Sequence, residues 1–256
     1  MSNQKKIKVA IIAHRGASGN APENTLSAVK LAIGIKVDMI EIDVHLSKDN
    51  IPVVIHDNIL DRTTNGKGKV KDYTISDLKT LDAGNWFSKN YQHERIPTLE
   101  EVIDLTKGNC ILLIEIKNGS SIYPNIENII IDTIKNKKAE KDCIIQSFED
   151  EVLDNLRKLK CPIEIQKLVT RDIPFLPLHL DSKLKFGSIL DYKNVTAINP
   201  YYKSVNKDFV DKIHASGKKT FIWTVDKEIE MNRLINLGVD GIITNFPEKL
   251  KAIIDK

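Results

Sequence analysis

Cysteine is scarce in this chain, and its few copies lack the patterns of cross-linked or zinc-binding proteins. The 256 residues include three cysteines, an odd number, with neither a CxxC pair nor the spacing of a zinc site. Cys110 and Cys143 each open an apolar strand-like run, which predicts buried structural thiols. A chain of this length can bury a large core without disulfides or structural metals.

Long apolar runs and a strong net charge are also missing. The first residues carry lysines, but the continuous apolar run before His14 covers only residues 9–13, too few for the core of a signal peptide. No apolar run approaches the length of a membrane span. The 38 basic and 35 acidic residues leave a formal charge of +3, which does not favour a nucleic-acid binder. We therefore expect a cytoplasmic protein with a small-molecule partner, without nucleic acid and without stable membrane insertion.

Strand-like and helix-like runs alternate along the chain, and no glycine-rich dinucleotide loop interrupts them. This pattern predicts a single α/β domain that spans residues 1–256. It favours a TIM (β/α)8 barrel rather than a doubly wound sheet. Eight strands are predicted, at residues 8–13, 38–43, 111–116, 143–147, 163–169, 195–199, 218–225 and 239–244. Helices are predicted at residues 25–35, 98–106, 125–137, 149–159, roughly 181–190, 206–216, 227–237 and 247–254.

One segment departs from this alternation. After Asp43 the chain runs on to Ser47, turns over residues 48–50 and returns to His56, and this link is too short for a helical crossover. It predicts an antiparallel hairpin that brings His56 level with Ile42 and Asp43. Residues 57–97 then contain no strand-helix unit, although residues 76–81 read as helical. We interpret them as a small insertion on the side of the barrel where active sites lie.

Three acidic residues come at the ends of two predicted strands. Glu41 and Asp43 are two residues apart, so they share a face of one strand, and Glu115 lies in the next strand along the chain. A single charged residue at a strand end is usually part of a surface salt bridge. Three flanked by isoleucines are different, because buried carboxylates close together need a cation. All-oxygen ligands predict a hard divalent cation, Mg²⁺ or Ca²⁺.

Two histidines and two cations accompany the acidic residues. His14 ends the first strand and His56 ends the hairpin, and their near-neutral pKa values suit a general acid and a general base. Arg15 and Lys117 are placed to hold phosphoryl oxygens, although Lys117 is alternatively a counter-ion for Glu115. Together these residues are the chemical groups needed for metal-assisted cleavage of a phosphodiester. No role is predicted for the other histidines, His45, His93, His179 and His214.

Three further residues are candidates for binding or positioning. Glu23 is expected to orient Arg15 or a substrate hydroxyl, and Asn24 is favoured over Thr25 as the N-cap of the first helix. Trp223 ends the seventh strand. It is predicted to pack against the apolar carbons of the substrate, with core packing as the alternative.

Taken together, these motifs resemble those of the glycerophosphodiester phosphodiesterase family, a group of phosphodiesterases with a TIM barrel, over nearly the whole chain. The matching segments are AHRGASGNAPENT, the Glu41/Asp43 pair, His56-Asp57, Glu115-Ile116-Lys117, Gln146-Ser147-Phe148, Ala197–Pro200, Trp223-Thr224-Val225 and residues 240–244. The resemblance implies that Glu41, Asp43 and Glu115 bind the metal, that His14 and His56 transfer protons, and that Arg15 and Lys117 contact phosphate. The implied reaction releases sn-glycerol 3-phosphate and an alcohol from diesters such as glycerophosphocholine.

The chain departs from the family pattern at three positions. Asn245 replaces a commoner aspartate, Asp226 a commoner asparagine, and Val29 a commoner aromatic residue. None of them is expected to touch the acidic residues or the histidines.

Other functions remain open at this point. A phospholipase-like enzyme on intact lipid would keep the chemistry but need a membrane-docking rim, for which the insertion offers only Trp86, Phe87 and Tyr91. A metal-dependent aldolase or isomerase barrel would not need two histidines, and a binding protein would be expected to have lost a ligand or a histidine. Direct attack by water and internal attack by a substrate hydroxyl are both compatible with the sequence.

Overall fold

The computed structural model describes residues 9–173, 178–181 and 184–256, and these residues contain an eight-stranded parallel barrel. The strands are β1 (Ala10–His14), β2 (Met39–Leu46), β3 (Pro52–Val54), β4 (Ile111–Ile116), β5 (Cys143–Ser147), β6 (Glu164–Val169), β7 (Arg171–Ile173), β8 (Leu178–Leu180), β9 (Leu184–Phe186), β10 (Ala197–Pro200), β11 (Phe221–Ile222) and β12 (Gly241–Thr244). Strands β10, β6, β5, β4, β2, β1, β12 and β11 are neighbours in that order. Two parallel bridges, Ala197 to Lys219 and Tyr201 to Trp223, join the ends and close the barrel.

The helices confirm most of the predicted alternation. They are α1 (Leu26–Ile35), α2 (Ile75–Leu78), α3 (Leu99–Thr106), α4 (Ile126–Asn136), α5 (Asp150–Lys158), α6 (Lys207–Ala215), α7 (Glu228–Leu237) and α8 (Pro247–Ile254). Thr98 and Glu101 form a capping box at the start of α3, as their spacing indicates. Pro247 occupies the first turn of α8, where its missing N–H leaves no bond unmade.

Two apolar layers hold the barrel together. Residues on the outer face of the strands pack against the helices, which is why the strands are apolar on both faces. Inside the barrel a smaller cluster contains Ile12, Leu113, Ile144, Phe221 and Ile243. All three cysteines are free thiols, and Cys143 is buried while Cys110 and Cys161 are half-buried.

The predicted hairpin is confirmed. Strand β3 pairs antiparallel with β2, with Val54 opposite Val44, and the N–H of Ile55 donates to the carbonyl of Asp43. This register carries His56 to the barrel mouth beside the acidic pair. The insertion that follows packs against the end of the hairpin in a small apolar cluster, separate from the main core. The cluster contains Val53, Ile55, Leu60, Val70, Leu78, Ala83 and Ile96.

The predicted helix over residues 181–190 is wrong. Residues 184–186 form strand β9, which pairs antiparallel with β8, and β8 pairs with β7 in a three-stranded sheet. Residues 182 and 183 lie outside the described residues. Leu184 and Phe186 are two positions apart, a strand period, and pairing with a neighbouring strand outweighs the weak helical pattern around them. A short 3₁₀ turn, Ile189–Asp191, follows.

At the N-terminus, residue 8 of the predicted first strand and the residues before it lie outside the described residues. In the described part of the chain, no helix is both long enough and apolar enough to cross a membrane.

Candidate active site

Three carboxylates meet at the carboxyl end of the barrel, where adjacent strands place them in register. Asp43 lies opposite Glu115 across β2 and β4, and Glu41 lies opposite His14 across β2 and β1. Each of the three acidic residues offers an oxygen within 4.8 Å of the others, and all three residues are at least nine-tenths buried. The structure therefore brings together the three residues for which a metal site was predicted.

Burial and mutual repulsion act strongly on these carboxyl groups. Burial raises the pKa of Glu41 well above its usual range, and the charges of Asp43 and Glu115 raise it further. Burial also raises the pKa of Glu115, partly offset by Lys117. Asp43 differs, because Lys117 and Arg15 outweigh the effect of its burial and hold its pKa well below the usual range. The cluster thus combines three carboxyl groups with two positively charged side chains, which would neutralise only part of the charge of three ionised carboxylates.

Arg15 and Lys117 supply those cations. Lys117 Nζ lies 2.7 Å from Glu115 Oε1 and 3.1 Å from Asp43 Oδ1, and although burial opposes it, the two carboxylates raise the pKa of Lys117. Arg15 Nε lies 3.1 Å from Asp43 Oδ2. The Arg15 backbone N–H donates to Glu41 Oε2 at 3.1 Å. In this structure Lys117 therefore has both a counter-ion contact and a position at the mouth of the barrel.

The turn after β1 is built to hold Arg15 in place. Arg15 has φ = 57°, a left-handed conformation that is uncommon for a residue with a side chain. Gly16 follows with φ = 79°, and a Cβ there would lie 2.6 Å from the backbone of Ala28. The close approach of the turn to helix α1 therefore requires glycine at this position.

His14 points into the mouth of the barrel from the end of β1. Its Nε2 lies 4.0 Å from Glu41 Oε2, and its Nδ1 lies 2.7 Å from Asn245 Oδ1. Burial, together with the charge of Arg15, lowers the pKa of His14 to about 4. The expectation that Asn245 stays clear of the histidines is therefore wrong, because β12 runs beside β1 and ends at the same rim.

His56 lines the same cavity at the barrel mouth as His14. Its Nδ1 lies 2.6 Å from Asp57 Oδ1, and its backbone carbonyl accepts a hydrogen bond from His45 Nε2 at 3.0 Å. Burial lowers the pKa of His56. The sequence assigned no role to His45, but its buried ring supports the backbone of His56.

Arg62, in the insertion, is a site residue that the sequence interpretation missed. Its guanidinium donates to both oxygens of Asp57 at 2.7 and 3.1 Å. It also donates to both oxygens of Glu23, at 2.9 and 2.8 Å. Hydrogen bonding to Arg62 is the main cause that lowers the pKa of Asp57 to about 2, so Asp57 is a carboxylate beside His56. The charge spacing of Asp57 and Arg62, five residues apart after the hairpin, was the only sequence signal.

Glu23 and Asn24 both lie next to the acidic cluster. Glu23 Oε1 accepts from Arg15 Nη1 at 2.8 Å, which agrees with an orienting role toward Arg15. Asn24 is not the N-cap of α1, as was expected. Thr25 is that cap, and Asn24 Nδ2 donates to Asp43 Oδ2 at 2.9 Å. The residue is buried against β2, so its amide serves the carboxylate rather than the helix.

Trp223 lies at the same rim as part of an aromatic cluster. Its ring centroid is 5.4 Å from that of Phe148 and 5.5 Å from that of Tyr201, and its Nε1 donates to the carbonyl of Asn199 at 2.8 Å. The ring is half-buried and borders the cavity at the barrel mouth.

That cavity joins most of the predicted site residues. It has a volume of about 110 Å³ and is lined by His14, Arg15, Glu41, His56, Glu115, Lys117, Gln146, Phe148, Leu168, Trp223, Thr224 and Ile243. A second cavity of about 320 Å³ adjoins it and shares Glu115, Lys117 and Phe148. The arrangement can bind a cation, hold an anionic group against Arg15 and Lys117, and transfer protons through His14 and His56.

Comparisons with known proteins show which family the chain resembles. Residues 14–249 match the model of the glycerophosphoryl diester phosphodiesterase family. The chain is 41% identical to a glycerophosphodiester phosphodiesterase of Caldanaerobacter subterraneus, over 98% of this chain and 99% of that one. It is 35% identical to a Bacillus subtilis glycerophosphodiester phosphodiesterase over 94% of this chain and 85% of the relative.

A solved structure has the same architecture. The phosphodiesterase of Oleispira antarctica in complex with the product sn-glycerol-3-phosphate superimposes with a TM-score of 0.85 at 30% identity. The match covers 96% of this chain and 97% of the Oleispira chain.

Proposed function

The chain belongs to the glycerophosphoryl diester phosphodiesterase family, and on that basis we propose that it hydrolyses glycerophosphodiesters with a bound divalent cation and two histidines. Its enzyme class is glycerophosphodiester phosphodiesterase. The proposed substrates are deacylated phospholipids such as glycerophosphocholine and glycerophosphoethanolamine, and the products are an alcohol and sn-glycerol 3-phosphate. The observation that carries the proposal is the cavity at the barrel mouth, which is lined by His14, His56, Arg15, Lys117, Glu41 and Glu115.

The donor set fits a hard divalent cation. Glu41, Asp43 and Glu115 offer only oxygen, which Mg²⁺ and Ca²⁺ prefer over softer ligands. Burial is the main cause that raises the pKa of Glu41 and of Glu115, and a cation bound between the carboxylates would oppose this effect by stabilising their ionised forms. When bound there, the cation would supply Lewis-acid stabilisation of charge on the reacting phosphate and hydroxyl oxygens.

Proton transfer is assigned to the two histidines. Each has its Nδ1 held by a neighbour, Asn245 for His14 and Asp57 for His56, so Nε2 is the nitrogen for the reaction. One imidazole takes the proton from the attacking oxygen, and the other gives a proton to the leaving alcohol oxygen. Both histidines line the same cavity as Glu41 and Glu115, so two proton-transfer groups are available at one site.

The remaining residues bind and orient the substrate. Arg15 and Lys117 would attract the non-bridging phosphoryl oxygens, the first through a forked contact and the second as a point charge. Glu23 accepts a hydrogen bond from the guanidinium of Arg15, and Arg62 in turn holds Glu23. Trp223 offers an apolar ring face for the carbons of the substrate, and the insertion is proposed to enclose its glycerol end.

Substrate class and cleaved bond are tested together. Purified protein with Mg²⁺ or Ca²⁺ is incubated with glycerophosphocholine, glycerophosphoethanolamine and vesicles of intact phosphatidylcholine, and glycerol 3-phosphate is assayed enzymatically. We expect glycerol 3-phosphate from the two deacylated substrates and no product from the vesicles. Release of phosphocholine in place of glycerol 3-phosphate, or hydrolysis of intact lipid alone, would overturn the proposal, and the second result would support the phospholipase alternative.

A further inference from the structure

Asp226 and Asn245 form a hydrogen-bonded pair behind His14. They follow the neighbouring strands β11 and β12. The carboxylate of Asp226 accepts three hydrogen bonds, from Thr244 Oγ1 at 3.1 Å, from the backbone N–H of Asn245 at 2.9 Å and from Asn245 Nδ2 at 2.7 Å. Two of these three bonds reach Oδ1, and the side-chain amide bond reaches Oδ2.

This pattern decides which way the Asn245 amide faces. An ionised carboxylate accepts hydrogen bonds and donates none, so the amide must turn its NH₂ group toward Asp226. The amide oxygen therefore faces the opposite side, where it lies 2.7 Å from His14 Nδ1. Ser18 Oγ is 2.8 Å from the same oxygen and 2.7 Å from the carbonyl of His14.

The orientation of the Asn245 amide determines the tautomer of the His14 imidazole. Because Asn245 presents an acceptor, His14 Nδ1 must carry the ring proton of the neutral imidazole, and Nε2 keeps its lone pair. Nε2 is the nitrogen that faces the cavity, 4.0 Å from Glu41 Oε2. We propose that Asp226 is a positioning residue that fixes the tautomer of His14 through the amide of Asn245. As a statement about catalysis, this rests on the function proposed above.

Asp226→Asn is the direct test, because it should reverse the direction of the hydrogen bonds that link residue 226, Asn245 and His14. The new amide would place its oxygen toward the backbone N–H of Asn245 and its NH₂ group toward the Asn245 side chain. Asn245 would then turn its oxygen to residue 226 and its NH₂ group to His14 Nδ1, which moves the ring proton to Nε2. We expect kcat to fall at least about 100-fold, as for the loss of a general base, with KM within about threefold.

A double variant should restore the original direction of the hydrogen bonds from residue 226 to His14. In Asp226→Asn with Asn245→Asp, the amide at 226 donates to a carboxylate at 245, and that carboxylate again accepts from His14 Nδ1. We expect kcat to return to within about tenfold of the wild type. Asn245→Asp alone sets two carboxylates against each other at the distance of the present hydrogen bond, so it should be less active than the double variant.

Thr244→Val is the matched control. It removes one hydrogen bond to Asp226 and leaves the amide chain intact, so kcat should stay within about threefold of the wild type even where stability falls. The proposal is overturned if Asp226→Asn keeps near-native kcat, or if the double variant is no better than Asp226→Asn.

Nitrogen NMR measures the tautomer of His14 directly and does not depend on an activity assay. Two-bond ¹H–¹⁵N correlations of His14, assigned by comparison with His14→Gln, should place the proton on Nδ1 in the wild type and on Nε2 in Asp226→Asn. The same tautomer in both proteins would overturn the inference. If the wild type hydrolyses no glycerophosphodiester, the proposed function fails, whereas this spectrum still decides the role of Asp226.

Discussion

Arg62 donates two hydrogen bonds to the carboxylate of Asp57, from Nε to Oδ2 at 2.7 Å and from Nη2 to Oδ1 at 3.1 Å. The same guanidinium binds Glu23, which in turn binds Arg15. Asp57 lies against His56. One residue of the insertion thus orients the partners of a proposed acid-base histidine and of a proposed phosphate-binding arginine.

Removing the guanidinium of Arg62 should lower activity more than stability. Arg62→Ala leaves Asp57 and Glu23 without their shared donor, and we expect kcat/KM to fall by about 10- to 100-fold, the loss caused by misplacing catalytic groups. Arg62→Lys keeps the charge but cannot span both carboxylates, so its loss should be intermediate. Arg157→Ala is the control, because Arg157 pairs only with Asp154 at an exposed site on α5 among the contacts described. Equal activity of Arg62→Ala and Arg157→Ala would contradict the assignment.

Each proposed acid-base histidine is expected to be necessary. His14→Ala and His56→Ala should each lower turnover by about two to four orders of magnitude, as expected for the loss of a general acid or base. The fold should persist, because both side chains line the cavity rather than the apolar core. His214→Ala, on α6 and paired with Asp240, is the matched control and should keep native turnover. Near-native turnover of both site variants would show that the histidines do not transfer the protons.

The insertion should govern activity more than folding. Its apolar cluster is separate from the main core, so replacing residues 60–95 with a short Gly/Ser linker should leave a cooperatively folding barrel. We expect a lower Tm, because Val53 and Ile55 lose the residues that cover them, and weak glycerophosphodiester turnover. Circular dichroism and thermal melting measure the first expectation. An unfolded variant would instead mean that the segment is part of the barrel's core structure.

The hairpin and the acidic cluster were predictable because they follow from short-range geometry. Residues two apart on a strand share a face, and a three-residue turn permits only an antiparallel return, so Glu41, Asp43 and His56 could be placed from the sequence. Glu115 was placed by the strand-end rule for barrels.

The contacts that were missed join distant parts of the chain. Asn245 lies 231 positions from His14, and Arg62 lies 39 positions from Glu23. Neither contact leaves a periodic pattern, because Arg62 is in an irregular loop and Asn245 is a single polar residue after a strand. The choice of Thr25 over Asn24 as helix cap has the same origin, since Asn24 is drawn to Asp43 across 19 positions.

The substrate itself is expected to supply the first nucleophile. Among the described residues that line the barrel-mouth cavity there is no serine or cysteine, but the glycerol of the substrate carries a hydroxyl beside the ester. In this prediction that oxygen would attack phosphorus while one histidine takes its proton, the alcohol would leave with a proton from the other histidine, and water would then open the cyclic phosphate. A substrate with hydrogen in place of the 2-hydroxyl should bind competitively and turn over barely at all. Hydrolysis of that analogue at an undiminished rate would rule out internal attack.

The proposed catalysis depends most on a cation held by Glu41, Asp43 and Glu115. The direct measurement is glycerol 3-phosphate release from glycerophosphocholine by protein stripped with chelator. Stripped protein should be inactive, and Mg²⁺ or Ca²⁺ should restore turnover in the wild type but not in Glu41→Gln, which loses a charged ligand. Full activity after exhaustive chelation, with metal analysis showing no bound ion, would contradict a catalytic role for the cation.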